Sequence, residues 1–240
     1  MNLMKTVAGI AATAALYVAA PAMAEPITFS SANVGQTYTL NYDGFVDGTA
    51  NTISGLTSST SFTLTGISGN NYTFSYSVAN TSSAPITASR VSSFAFNTDP
   101  TIAGATSTGA FSYTTLSSNY PNQIGTVDVC FKDANTGSCS GGGSGGLTIG
   151  QSGTGSFTLS FSQPVSSLTL SDFFVRYQAI AGTNNPPGSA SGQGTLSSTS
   201  TGGTPVPEPG MVALFASGLV GLALLRRRRS TKGQLTPAFA

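Results

Sequence analysis

Cys130 and Cys139, in CFKDANTGSC, are the only two cysteines of a 240-residue chain that has no histidine. Without histidine, neither a Ser-His-Asp nor a Cys-His catalytic arrangement can be assembled. Outside the cytoplasm, a cysteine pair this close in sequence reads as a disulfide. On chain-entropy grounds a ring of about ten residues contributes about 2.7 kcal/mol. A zinc site competes for the same residues, but two thiolates alone do not complete a tetrahedral shell. A redox pair is more typically spaced CxxC.

The remaining reactive side chains are few. A Ser-Lys mechanism would need Lys132, which falls inside the cysteine ring and reads as solvated. Glycosidases place two carboxylates across the scissile bond, yet the only glutamates are Glu25 and Glu208, so a hydrolase would have to use aspartates. Asp43 and Asp47, in DGFVDG, are weak metal candidates. Calcium takes more oxygen ligands than two carboxylates supply, and aspartates in such a stretch are commonly turn formers. Gly141 to Gly146 (GGGSGG) does not run on into the GK[ST] of a phosphate loop, so it reads as a flexible hairpin loop. Asn71-Tyr72-Thr73 and Asn80-Thr81-Ser82 match a glycosylation sequon in a chain where Ser and Thr are frequent enough for chance matches. The expectation is no catalytic site, no cofactor and no metal.

Charged residues make up only 7% of the chain, against roughly 25% in an average soluble domain. Residues 25 to 204 hold seven acids (Glu25, Asp43, Asp47, Asp99, Asp128, Asp133, Asp172) and three bases (Arg90, Lys132, Arg176), a balance of −4. Binding to nucleic acid needs clustered cations, so that class of partner is excluded.

Both ends read as addresses. Residues 1–24 form a signal peptide: Lys5 in the n-region, an apolar run from Val7 to Ala20, and Ala22-Met23-Ala24 as the small-x-small site for signal peptidase, with cleavage before Glu25. At the other end, residues 211–225 are apolar or small. As a helix they reach about 22 Å, short of the roughly 30 Å of a bilayer core, and snorkelling arginines close part of the gap. Arg226, Arg227, Arg228 and Arg229 follow at once. Cations stay on the cytoplasmic side, so the bulk of the chain is expected outside and residues 230–240 form a short cytoplasmic tail.

Residues 205–229, with Pro207-Glu208-Pro209 followed by a short apolar helix and an arginine cluster, resemble the PEP-CTERM sorting signal. The motif, the helix and the arginines occur in the family's order and accompany an N-terminal signal. One departure is that eleven residues follow the arginines, where the family usually ends almost at once. The resemblance implies that a membrane-embedded exosortase recognises Pro207, Glu208 and Pro209, cleaves the tail, and releases the protein to the surface of a Gram-negative bacterium that makes exopolysaccharide.

Between the addresses, large residues alternate with Thr, Ser and Asn. Tyr38, Leu40 and Tyr42 do so, as do Phe62 and Leu64; Tyr72, Phe74, Tyr76 and Val78; Val127, Val129 and Phe131; Phe157, Leu159 and Phe161. Period two places the large side chains on one face of a strand, and Tyr38, Tyr72 and Tyr76 should face the core. Leu168 to Ile180 reads as one long strand. Gly, Asn and Pro clusters punctuate the gaps. The pattern predicts nine or ten short strands and an all-β fold: a single β-sandwich, Ig-like or jelly-roll, over residues 25–185. Residues 186–204 read as a Gly/Ser/Thr/Pro linker in which Gly194 to Ser198 could add an edge strand. NVGQTYTLNYDGFV, SAPITASRVSSFAFNTDP, VCFKDANTGSC and SDFFVRYQAI resemble the cistern subfamily of PEP-CTERM proteins, which implies no biochemical activity. The expected protein is a non-enzymatic, exported component of the cell surface or biofilm matrix, in contact with extracellular polysaccharide. The alternative is a carbohydrate-binding or adhesive module with a definite ligand.

Overall fold

The computed structural model describes residues 25–46, 52–183 and 187–200. Twelve strands occur among them: β1 (Ile27–Phe29), β2 (Thr37–Phe45), β3 (Thr52–Ser68), β4 (Asn71–Asn80), β5 (Ala88–Asp99), β6 (Gly104–Gly109), β7 (Tyr113–Tyr120), β8 (Gly125–Lys132), β9 (Leu147–Thr148), β10 (Ser152–Ser160), β11 (Leu168–Ala181) and β12 (Ser189–Ser200). No helix among the described residues is long and apolar enough to cross a membrane. The expected signal peptide of residues 1–24, the helix over 211–225 and the tail of 230–240 lie outside them.

Alternation does what the sequence predicts. In β4 the buried positions are Tyr72, Phe74, Tyr76, Val78 and Asn80, every second residue. The same parity buries Tyr38, Leu40 and Tyr42 in β2, and Phe157 and Leu159 in β10. The long strand expected at Leu168 to Ile180 is β11.

The arrangement differs from the expected sandwich of two sheets. The strands form one sheet in the order β6-β10-β4-β3-β2-β12-β11-β5-β8-β7, with β1 added beside β11 and β9 beside β5. This sheet curls until its ends meet: the Thr114 hydroxyl of β7 donates to the Ala105 carbonyl of β6 at 3.3 Å. The result is a nearly closed, barrel-like sheet. Its two halves still face each other across an aromatic core. Phe62 of β3 lies 5.7 Å from Phe94 and 6.0 Å from Phe96 of β5, and 5.9 Å from Phe173 of β11. Phe157 of β10 lies 4.7 Å from Phe131 of β8. Ring pairs at such spacings add to the burial of their apolar area.

The halves are joined by β12, which falls in the expected 186–204 linker: the edge strand expected at Gly194 to Ser198 is the second half of a longer strand in the middle of the sheet. It pairs with β11 over Ser189 to Gln193 and with β2 over Ser191 to Ser200. The stretch escapes a pattern search because its inward residues are Ala190, Gly192 and Gly194 rather than large apolar ones. Those glycines are required by their neighbours. A Cβ on Gly192 would sit about 3.0 Å from Tyr42 and Val175, and one on Gly194 would press on Tyr42, Leu40 and Phe173. The big side chains of β2 and β11 fill the volume above β12, so β12 must be bare there.

Polar groups that enter the core find partners. The Tyr42 hydroxyl bonds Thr60 Oγ1 at 2.8 Å, and the Tyr177 hydroxyl bonds Ser58 Oγ at 2.7 Å. Burial raises the pKa of both tyrosines. Asn80 donates to the carbonyls of Ser89 and Leu147 and to Ser89 Oγ. With that amide enclosed, Asn80 is not a glycosylation acceptor in the folded protein.

Phe157→Ala should lose about 3–5 kcal/mol of unfolding free energy in urea titration. Thr39→Ala removes an outward hydroxyl that bonds Ser61 at 2.9 Å and should lose only about 0.5 kcal/mol.

Candidate functional site

β5 is buried on both faces from Ser89 to Phe96. Val91, Phe94 and Phe96 belong to the aromatic core. The opposite face carries Arg90, Ser93 and Ala95, with the two serines Ser92 and Ser93 at a register shift against β11. Because most of these side chains are small, another layer of backbone fits against them. That layer is residues 133–146, between β8 and β9.

Expected to be a flexible loop, GGGSGG is instead part of a strap tied down at several points. Arg90 Nη2 donates to the carbonyls of Gly142 (3.1 Å) and Gly143 (2.7 Å) and to Gln178 Oε1 (2.9 Å), and its Nη1 donates to the Gly145 carbonyl. Gln178 Nε2 donates to the Ser140 carbonyl at 2.7 Å. The Ser93 hydroxyl donates to the Cys139 carbonyl at 2.9 Å. Asp133 Oδ1 accepts from the Gly142 amide at 2.6 Å. Two strap positions must be glycine. A side chain on Gly141, at φ 70°, would collide with the Ser92 carbonyl, and one on Gly146, at φ 90°, with the Val91 carbonyl.

Beneath the strap, β8 and β11 flank β5, and their side chains form two rows. In one row Ser93 lies between Arg176 of β11 and Lys132 of β8. In the next, Ala95 lies between Phe174 and Cys130. Cys139 comes down from the strap onto the second row, so that Cys130, Cys139, Ala95 and Tyr120 pack together. Arg90, Lys132 and Arg176 are the three bases of residues 25–204, and all three stand on this face.

The electrostatics are unusual for so weakly charged a chain. Lys132 was expected to be solvated but is buried. Its Nζ donates to Thr115 Oγ1 at 2.5 Å and to the Thr136 carbonyl, and no carboxylate among the described residues hydrogen-bonds it. Arg176 has its Nε and Nη1 buried without a hydrogen-bond partner among the described residues, and burial lowers its pKa. Cys130 and Cys139 face one another as thiols, at the two positions where the sequence leads to a disulfide, and the strap brings them side by side as that bond would need. The hydrogen bond from Cys130 holds the Cys139 thiol below its ordinary range. Burial opposes this, and the Ser118 hydroxyl and Lys132 assist it. Burial and the same contact push Cys130 up. The Tyr120 hydroxyl, 3.3 Å from Ser93 Oγ, is also pushed up by burial. This is the one cluster of nucleophilic and cationic side chains among the described residues that geometry, rather than sequence spacing, brings together.

The other residues singled out by sequence are dispersed. Asp43 is not in a turn: it stands exposed within β2, opposite Thr57 and Gln193. Asp47 lies outside the described residues, and among those described no group of three or more His, Cys, Asp or Glu could hold a metal. Ala22 and Ala24, Pro207, Glu208 and Pro209, and Arg226 to Arg229 also lie outside them. Sequence reasoning missed Ser93, Tyr120 and Arg176 as neighbours of the cysteines, and Arg90 as the anchor of the strap. The available signal was RVSSFA, a strand with apolar residues on one side and small ones on the other.

Arg90→Met should free the strap. The expected loss is about 3 kcal/mol, since charged hydrogen bonds and the carbonyls they satisfy go together. Limited proteolysis should then cut between residues 136 and 146, where the parent chain resists cleavage.

No curated protein and no solved structure matches the chain. A family model described as the PEP-CTERM protein-sorting motif matches residues 205–229. The match covers the expected signal and none of the sheet. The chain therefore carries a PEP-CTERM sorting motif at its carboxyl end, the mark of an exosortase-targeted secreted or surface protein whose precursor is anchored in a Gram-negative membrane.

Proposed function

We propose that this chain is a non-enzymatic protein of the cell surface or extracellular matrix, delivered by signal peptidase and exosortase, whose barrel-like sheet is embedded in exopolysaccharide. The sorting motif at residues 205–229 carries this reading. Exosortase would act at Pro207, Glu208 and Pro209, with Arg226 to Arg229 holding the tail on the cytoplasmic side until cleavage. The membrane contact is then transient, and the part that persists outside is the sheet.

A second reading, a carbohydrate-binding module, draws on the outward face of β2, β3, β4 and β10. β3, β4 and β10 carry no charged residue. Hydroxyls pair across the strands there: Thr37 with Thr63 at 2.6 Å, Thr39 with Ser61 at 2.9 Å, and Thr73 with Thr158 at 3.1 Å. Each hydroxyl donates once and accepts twice, so a hydroxyl in such a pair keeps capacity for an uncharged, hydroxyl-rich partner.

Deleting residues 206–240 tests the first reading. The truncated protein should leave the surface fraction and lose the mass change of tail removal; unaltered retention and processing would overturn it. Co-sedimentation of the processed protein with insoluble neutral polysaccharides tests the second. Binding should weaken at least several-fold when Thr63, Ser75 and Thr158 are replaced together by lysine, and failure to bind any glycan ends that reading.

A further inference from the structure

We infer that Cys130 and Cys139 form a reversible thiol–disulfide exchange site, in which Cys139 attacks an external disulfide and Cys130 resolves the mixed disulfide. The inference is independent of how the protein is sorted. It starts from an imbalance. Lys132 and Arg176 flank Ser93 on the face that carries the thiol pair. Neither is hydrogen-bonded by a carboxylate among the described residues, and Arg176 keeps two buried N–H groups unpartnered there. Cations withheld from water need a counter-charge. The Asp133 carboxylate caps the Gly142 amide on the strap, and the ionisable sulfurs are the groups whose charge is coupled to Lys132 and Arg176.

The surroundings divide the two sulfurs. Cys139 is preceded by Gly137 and Ser138, both exposed, on a strap outside the sheet. Cys130 lies within β8, between Ala95 and Thr115. Both sulfurs are buried, but Cys139 is covered only through its own strap, so a local opening of the strap at Gly137 and Ser138 brings Cys139 to an incoming disulfide first. The hydrogen bond from Cys130, the Ser118 hydroxyl and Lys132 favour its thiolate, against burial. The titratable or charged groups facing the pair are Tyr120 from β7, Lys132 from β8 and Arg176 from β11; β5 contributes only the neutral Ser93.

The chemistry balances with an external disulfide RSSR as oxidant. The Cys139 thiolate forms a bond to one sulfur of RSSR, and the other leaves as RS⁻ with the bonding pair. Cys130 gives up its proton and attacks the Cys139 sulfur, expelling the second RS⁻. The two protons released by the thiols end on two RSH. Two protein thiols are oxidised by two electrons, and RSSR is reduced. The disulfide ties the strap to β8, but it also removes the anion that faces Lys132. Stabilising the reduced form in this way makes a disulfide easier to reduce than an inert structural one. Reversibility is thus a consequence of the site's charge.

The test uses the full-length chain in glutathione buffers of graded oxidation, without denaturant, with alkylation and intact mass as the readout. The wild type should pass reversibly between dithiol and disulfide. Cys130→Ser should accumulate one glutathione on Cys139, and should do so at lower pH than an ordinary thiol, because the serine hydroxyl takes over as donor and Ser118 and Lys132 remain, so that thiolate persists as pH falls. Cys139→Ser should react at Cys130 at least about tenfold more slowly, the factor that one pKa unit of thiolate population represents. Lys132→Met should make the disulfide harder to reduce, moving the midpoint ratio by about tenfold. A disulfide reducible only after denaturation would overturn the inference. So would equal rates at the two cysteines in the single-serine chains, which retain Lys132 and decide the matter even where Lys132→Met does not fold.

Discussion

The whole fold turns on a strand with almost no side chains. β12 lies between β2 and β11 and makes one sheet of what would otherwise be two. It can do so because Gly192 and Gly194 leave room for Tyr42, Leu40, Val175 and Phe173. Large residues at those positions would push β2 and β11 apart, and the halves that meet at Phe62 and Phe157 would lose their alignment. Volume that β12 gives up is volume that the tyrosines of its neighbours occupy, and their hydroxyls in turn require Thr60 and Ser58 inside the core.

A similar economy of side chains governs the other face. Ser92, Ser93 and Ala95 leave β5 low enough for the strap to lie against it, and glycines let the strap come close. The cost of covering this face is that Arg90 and Lys132 lose water. Arg90 recovers its hydrogen bonds from strap carbonyls. Lys132 finds a hydroxyl and a carbonyl but no carboxylate. Acids do not serve as ion partners here: Asp133 caps a strap amide, and Asp128 accepts from the Thr98 amide at 2.8 Å. The charge left over beside the thiols follows from that allocation.

What was legible in the sequence was whatever announces itself by size and period. β4 and β11 were readable because large residues recur every second position, and the inward tyrosines followed from the same count. β12 was readable only from Gly194 to Ser198, and there as an edge strand; the rest was hidden because its part in packing is to be small, and a run such as SASGQG looks alike whether it is a tether or a strand between larger neighbours. The curl of the sheet was equally hidden, since alternation gives each strand an inner face without saying whether facing strands share a sheet. At the cysteines, spacing suggested a bond between them. That the same segment places Lys132 under cover depends on the strap folding back over β5, a long-range contact that no local pattern carries. The sorting motif was the most legible feature because its reader is a membrane enzyme, and its signal is therefore linear.

The position of β12 in the chain has a temporal meaning. A polypeptide that leaves the cytoplasm amino end first presents β1 to β11 before the strand that unites them. Until Ser200 has emerged, β2 and β11 each have an unfilled side, and the rings around Phe62 have no fixed counterpart. Completion of the fold therefore waits for the last few residues ahead of the sorting motif. Maturation after export is thus scheduled by the order of the strands: the sheet can finish only when translocation has nearly finished too.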